Sequence, residues 1–190
     1  MSDPFATASE LAQLIGTLEP ADLARMQMFL DLASAEIRGY TDQELSTVTG
    51  DVVVFEPTWS QTLYLPERPV TTVTTVTVKA VPTTDYRLVD ERKIVRGSDP
   101  TVLTSLDWSL GATVTYSHGY AEATEAYESL KKICLEAASN AYTMNDRGQS
   151  EVLGGLTGAT ALESAGYAPA IFLTPSQKMR LDWFRPVAVG

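Results

Sequence analysis

The sequence predicts an α+β fold, with helices at both ends of the chain and an antiparallel β region between them. Three observations carry this. Apolar residues recur at steps of three and four in two stretches, Pro20 to Gly39 and Glu125 to Thr143. The segment Asp51 to Tyr116 is rich in Val, Thr and Tyr, the residues that suit a pleated surface. Thr174-Pro175-Ser176-Gln177 carries the chemistry of a helix start close to the C-terminus. With 190 residues the chain suits one domain with an elaborated insertion.

Each element follows from local chemistry. Thr7-Ala8-Ser9-Glu10 has the form of a capping box, and Leu11, Leu14 and Ile15 follow at helical spacing before Gly16 stops the helix. Phe5, just before the cap, is placed to staple it. Pro20 suits the first position of a second helix. Leu23, Met26, Leu30, Ala33 and Ile37 form its apolar face; Met28, Phe29 and Leu32 widen the stripe and predict burial on more than one side. Gly39 is expected just past its end.

Val52-Val53-Val54-Phe55 and Thr62-Leu63-Tyr64-Leu65 read as strands around the turn Pro57 to Ser60. Pro66 and Pro69 interrupt the ladder. The Thr/Val run 71–78 breaks strict alternation, which predicts a bulge. Tyr86–Val89 and Lys93–Arg96 read as a hairpin around Asp90-Glu91-Arg92, and Thr113–Tyr116 closes the β region. The third helix presents Tyr127, Leu130, Ile133 or Cys134, Ala137 and Ala141 on one face. Residues 145–173, rich in glycine up to Tyr167, read as a flexible arm. After the last cap, Leu181, Trp183 and Phe184 precede Pro186. The expected division is a helical part, 1–50 and 121–190, around a β region, 51–120.

The net charge of −10 argues against a duplex-DNA binder, because phosphate contact needs a basic footprint. Charge is unevenly spread. Residues 1–60 hold ten acids against Arg25 and Arg38, 2 − 10 = −8, whereas 174–190 hold Lys178, Arg180 and Arg185 against Asp182, 3 − 1 = +2. Cys134 is the single cysteine, so no intrachain disulfide forms. No apolar run approaches the roughly 20 residues that span a bilayer, and Met1-Ser2-Asp3-Pro4 lacks the basic start of a signal peptide.

No catalytic constellation assembles. His118 is the only histidine, which excludes a His-rich metal site. Its setting, Tyr116-Ser117-His118-Gly119-Tyr120, reads as a strand end rather than a general base. Gly154-Gly155-x-x-Gly158 lacks the preceding strand and the lysine of a phosphate cradle. Asp90 and Glu91 sit at a hairpin tip, where a solvated turn explains them. No enzyme activity, cofactor or metal is expected.

Five segments, in order, resemble the head-to-tail adaptor (connector) proteins of tailed bacteriophages. They are Ala33–Tyr40, Leu63–Val70 followed by Val73 and Val76, Asp85–Leu88 leading to Trp108, Val114–Tyr120 with the Ala-rich helix after it, and the Gly-rich arm ending in Leu173-Thr174-Pro175. None is specific alone; the order and spacing carry the likeness, which spans most of the chain. The resemblance implies a helical bundle with an inserted β region, longer here than in many relatives. It implies a ring, typically dodecameric, beneath the portal, which extends the DNA channel and supports the next neck or tail protein. DNA passes through unbound, and no membrane is involved. Such a protein resides in the virion neck and assembles in the host cytoplasm. By the same resemblance, Lys178, Arg180, Trp183, Phe184 and Arg185 are the expected portal contacts. The acidic balance of the N-terminal part makes Glu10, Asp22 and Asp31 candidates for lining the channel. Two other readings stand beside this one. A stopper or tail-completion role is the neighbouring alternative. A carbohydrate-binding module using Trp59, Tyr64 and Trp108 is the distant one.

Overall fold

The computed structural model describes residues 3–16, 20–99, 107–154 and 171–186. The α+β expectation is met, and the chain divides into two compact units, Met1–Thr41 with Glu125–Arg185 and Asp42–Thr124.

The helical unit holds α1 (Ala8–Ile15), α2 (Pro20–Thr41), α3 (Glu125–Gly154) and α4 (Pro175–Leu181), which a 3-10 turn (Asp182–Phe184) continues. The capping box opens α1 as expected: the Glu10 amide donates to Thr7 Oγ1 at 3.3 Å, and the Thr7 amide donates to the Glu10 carboxylate at 2.9 Å. Gly16 closes it with φ +85°. In α2, Met26, Phe29, Leu30, Ala33 and Ile37 are fully buried, but Met28 and Leu32 are exposed, so the helix buries one broad face and not several. Gly39 lies inside this helix; the left-handed residue past its end is Asp42, with φ +52°. Its short carboxylate side chain makes that conformation tolerable.

Ala137 and Ala138 on α3 are buried, which lets α2 pack closely against it. Ser34 and Cys134 meet at 3.3 Å between the two helices, and Ser34 Oγ accepts the Phe5 amide at 3.1 Å. Phe5 packs against α3 and α2. It is buried edge-on to Tyr127 at 6.1 Å, with the Arg38 guanidinium 4.4 Å from its ring centre. Helix α3 runs to Gly154, past the expected end at Thr143, so the first ten residues of the expected arm are helical. Residues 155–170 of that arm lie outside the described residues.

The β unit contains β1 (Val48–Phe55), β2 (Thr62–Tyr64), β3 (Val70–Val78), β4 (Val81–Thr83), β5 (Tyr86–Val89), β6 (Lys93–Arg96) and β7 (Ala112–His118). They form a four-stranded sheet, β1-β7-β3-β4, and a three-stranded sheet, β2-β6-β5. The strands on either side of Pro57–Ser60 therefore do not pair with each other; the segment crosses from one sheet to the other. The β5–β6 hairpin forms as read from sequence, around the three residues Asp90, Glu91 and Arg92, with Asp90 and Glu91 at positive φ. Irregularities between Val70 and Thr72 and between Val73 and Thr75 are the bulges that the Val spacing predicts. Leu63, Val76, Ile94, Trp108, Val114 and Tyr116 form a buried core contributed by both sheets.

Where the β unit begins and ends, the chain runs side by side. Ser46 and Tyr120 form a parallel bridge, and the Tyr120 amide donates to Leu45 O at 2.9 Å. Gly119 permits this approach: it has φ +94°, and a Cβ there would stand 2.1 Å from Ser46 O. Gly119→Ala is therefore expected to destabilise the β unit by roughly 2 kcal/mol or more in chemical denaturation. Gly39→Ala has nothing within 4 Å of the added Cβ, so it is expected to be neutral or stabilising by up to about 1 kcal/mol.

Candidate functional site

The basic C-terminal segment is built by α4 and its 3-10 turn. The predicted cap forms in full: the Gln177 amide donates to Thr174 Oγ1 at 3.3 Å, the Thr174 amide donates to Gln177 Oε1 at 2.8 Å, and Pro175 follows the cap. Leu173, Gln177, Leu181 and Phe184 turn inward. Phe172, Met179 and Trp183 turn outward at 80%, 71% and 73% exposure. Of the five expected contact residues, Phe184 is thus a core anchor, whereas Lys178, Trp183 and Arg185 are at the surface and Arg180 is half-buried.

Tyr40, on α2, organises the charged rim. Its hydroxyl donates to Asp182 Oδ1 at 2.8 Å. Lys178 and Arg185 lie 5.6 and 5.2 Å from its ring centre, and Arg185 reaches Asp182 at 3.6 Å. The hydrogen bond to Asp182 pushes the Tyr40 phenol above its ordinary value. Arg180 pairs with Glu136 of α3 at 2.8 Å and so holds α4 in place. Sequence reasoning missed Tyr40, Phe172 and Met179. Nothing in their spacing separates an outward aromatic or Met from an inward one.

The three expected acids do not form one surface. Glu10 completes the α1 capping box and also pairs with Lys131 of α3. Burial raises its carboxyl, but the Lys131 and Thr7 hydrogen bonds outweigh this and hold it below the ordinary value. Asp31 is exposed and accepts from Gln27 at 3.0 Å. Asp22 is half-buried, and nine residues at about 100° each put it on the side of α2 opposite Asp31.

Other candidates fall into place as structure. Trp108 is fully buried, its indole N–H donating to Gln61 O at 2.9 Å, so it cannot stack on a sugar; Trp59 and Tyr64 are exposed. His118 is 2% exposed, with Nε2 3.5 Å from Asp51 Oδ2. Asp90 at the hairpin tip pairs with Lys93 at 3.0 Å. Gly154 ends a helix instead of following a strand. Cys134 is buried, and burial pushes its thiol up to about 11, so little of the nucleophilic thiolate forms at neutral pH. Among the described residues, no three His, Cys, Asp or Glu stand together as metal ligands, and no helix is long and apolar enough to cross a membrane.

Two outcomes follow. In collisional quenching, tryptophan emission is expected to split into accessible indoles (Trp59, Trp183) and a protected one (Trp108). Trp108→Ala is expected to cost roughly 3–5 kcal/mol and Trp59→Ala about 0.5 kcal/mol at most. The Glu10–Lys131 pair lowers a folded carboxyl and raises a folded amine. Its contribution is therefore complete above the ordinary Glu value of 4.5 and is lost as pH falls through the lower folded one. At the basic end it is complete below the ordinary Lys value of 10.5 and is lost as pH rises through the higher folded one. Thermal unfolding of Glu10→Gln is expected to fall below wild type at neutral pH and to converge with it in acid.

No family model and no curated protein matches the sequence. Solved structures do share its fold. A chain in the neck of a native gene transfer agent particle, computed with C12 symmetry, superposes with a TM-score of 0.59 at 19% identity, covering 100% of this chain and 94% of that one. A chain in the native gene transfer agent virion, and one in the neck of an empty particle computed with C6 symmetry, give the same TM-score and coverage at 20% identity. The fold found here, end to end, is therefore that of chains from particle necks.

Proposed function

We propose that this chain is a non-enzymatic structural subunit of a phage-like particle neck, a ring-forming adaptor between head and tail. It docks beneath the portal, extends the DNA channel and gives the next neck or tail protein a platform. The observation that carries this reading is the fold shared along the whole chain with a subunit of a C12-symmetric neck. The order of the five sequence segments points the same way.

The portal contact falls to the outward side of the C-terminal segment. Phe172, Met179 and Trp183 supply apolar anchors, and Lys178 and Arg185 supply charge at the rim. Phe184 serves from beneath, by fixing the turn that presents Trp183. The net charge of −10 lets DNA pass without sticking. A channel surface takes Asp31 or Asp22 but not both, since they lie on opposite sides of α2. Twelve weak contacts on one portal ring become collectively tight.

Co-sedimentation with rings of the cognate portal tests this. Full-length protein is expected to sediment with the rings. Met179→Ala/Trp183→Ala, which alters only exposed side chains, is expected to bind on the order of a hundredfold more weakly. A folded wild-type chain that stays in the supernatant would sink the adaptor reading. Full binding by the double variant would move the contact away from α4.

A further inference from the structure

Helix α4 and its 3-10 turn show four different sides. Gln177, Leu181 and Phe184 face the core. On one flank Arg180 reaches Glu136 of α3 at 2.8 Å. On the other flank Lys178, Asp182 and Arg185 lie against Tyr40 of α2. Met179 and Trp183, one helical turn apart and both exposed, form an apolar ridge between the flanks.

The charges on the Tyr40 flank do not balance. The Tyr40 hydroxyl donates to Asp182 Oδ1 at 2.8 Å, and Arg185 reaches the same oxygen at 3.6 Å. That one carboxylate therefore already serves two donors. Among the described residues Lys178 makes no ion pair; its ammonium stands 5.6 Å from the centre of the Tyr40 ring, and the Arg185 guanidinium 5.2 Å. Two exposed cations thus gather at one aromatic ring with one carboxylate between them, in a chain of net charge −10. Attraction to an aromatic ring positions a cation but leaves its charge free to act on a partner. Elsewhere the cations are matched: Arg180 with Glu136, Lys93 with Asp90 and Lys131 with Glu10.

We propose that Lys178 and Arg185, held by Tyr40, receive a carboxylate from an acidic segment of the portal, whose neighbouring apolar side chain packs on Met179 and Trp183. This rests on the neck reading above and names the chemistry of its partner. Charge sets the class of occupant. An acidic segment supplies the second carboxylate that the two cations lack and relieves the repulsion between them; a basic one would add to it. The rest of the surface separates one anion from another. A DNA backbone would meet only two cations here, against the negative charge of the rest of the chain, and Met179 gives it nothing to stack on. An acidic protein segment uses both halves of the surface, the Met and aromatic anchors and the charged rim. Tyr40 acts through the two cations, as a positioning residue: its ring sets where they stand, and its hydroxyl keeps Asp182 occupied.

Binding of the full-length chain to cognate portal rings, measured at low and at high salt, tests this. Wild type is expected to bind more weakly at high salt. Lys178→Gln/Arg185→Gln changes only exposed side chains, so it is expected to keep the wild-type circular dichroism. At low salt it is expected to bind on the order of tenfold more weakly than wild type, and its binding is expected to lose most of the salt dependence. Tyr40→Leu, which removes the ring, is expected to weaken binding about threefold, and Tyr40→Phe, which keeps it, to bind like wild type. A Lys178→Gln/Arg185→Gln variant with wild-type affinity and salt dependence would overturn this inference and leave the neck reading intact. Wild type that does not bind the rings at any salt would overturn both. Self-association without portal, or retention of a short DNA duplex, that the double variant loses while its portal affinity stays unchanged would name a different occupant and overturn the inference. Equal binding by Tyr40→Leu and wild type would overturn the part given to Tyr40.

Discussion

The β unit depends on one close approach, the passage of Gly119 against Ser46. An insertion can sit within a helical bundle only if its entry and exit lie close together, because the flanking helices must still pack. Here the parallel bridge between Ser46 and Tyr120 fixes that proximity, and a glycine at φ +94° is what allows it. The Gly119 amide also donates to Pro69 O at 3.0 Å, so the same turn secures the start of β3. Gln43 completes the clamp: its side chain donates to Pro66 O at 2.8 Å and accepts from the Arg68 amide at 3.0 Å. The segment containing both prolines, which has no ladder of its own, is thus held by the Gln43 side chain together with the Gly119 amide.

The helical unit solves a different problem. Small residues let α2 and α3 come together, and the polar atoms caught between them are satisfied locally: Ser34 serves both the Phe5 amide and Cys134. With the inner side of α4 anchored by Leu181 and Phe184, its outer side carries Met179 and Trp183 with no structural duty. Large apolar side chains left outside a well-packed unit suit a surface that is covered in an assembly.

The C-terminal segment combines aromatic and Met side chains with cations held by Tyr40, which suits a different protein.

Much of the fold was legible locally. Thr7 with Glu10 and Thr174 with Gln177 announce their helices because a cap needs only residues three apart. The β5–β6 hairpin and the bulged Val run could be read for the same reason. The β3–β4 hairpin could not: its turn, Lys79-Ala80, adopts positive φ without the usual Asn or Gly, and pairing with β3 imposes that conformation on it. Nor does any local rule state that β1 and β2 belong to different sheets, since strand partners are chosen across long separations by a shared core. The functional residues divide in the same way. Sequence alone determined the charge balance and a basic, aromatic C-terminal helix. Only tertiary packing decided that Phe184 and Trp108 are buried while Trp183 and Trp59 are exposed. Burial depends on what the rest of the chain brings against a side chain, and one sequence position does not carry that information.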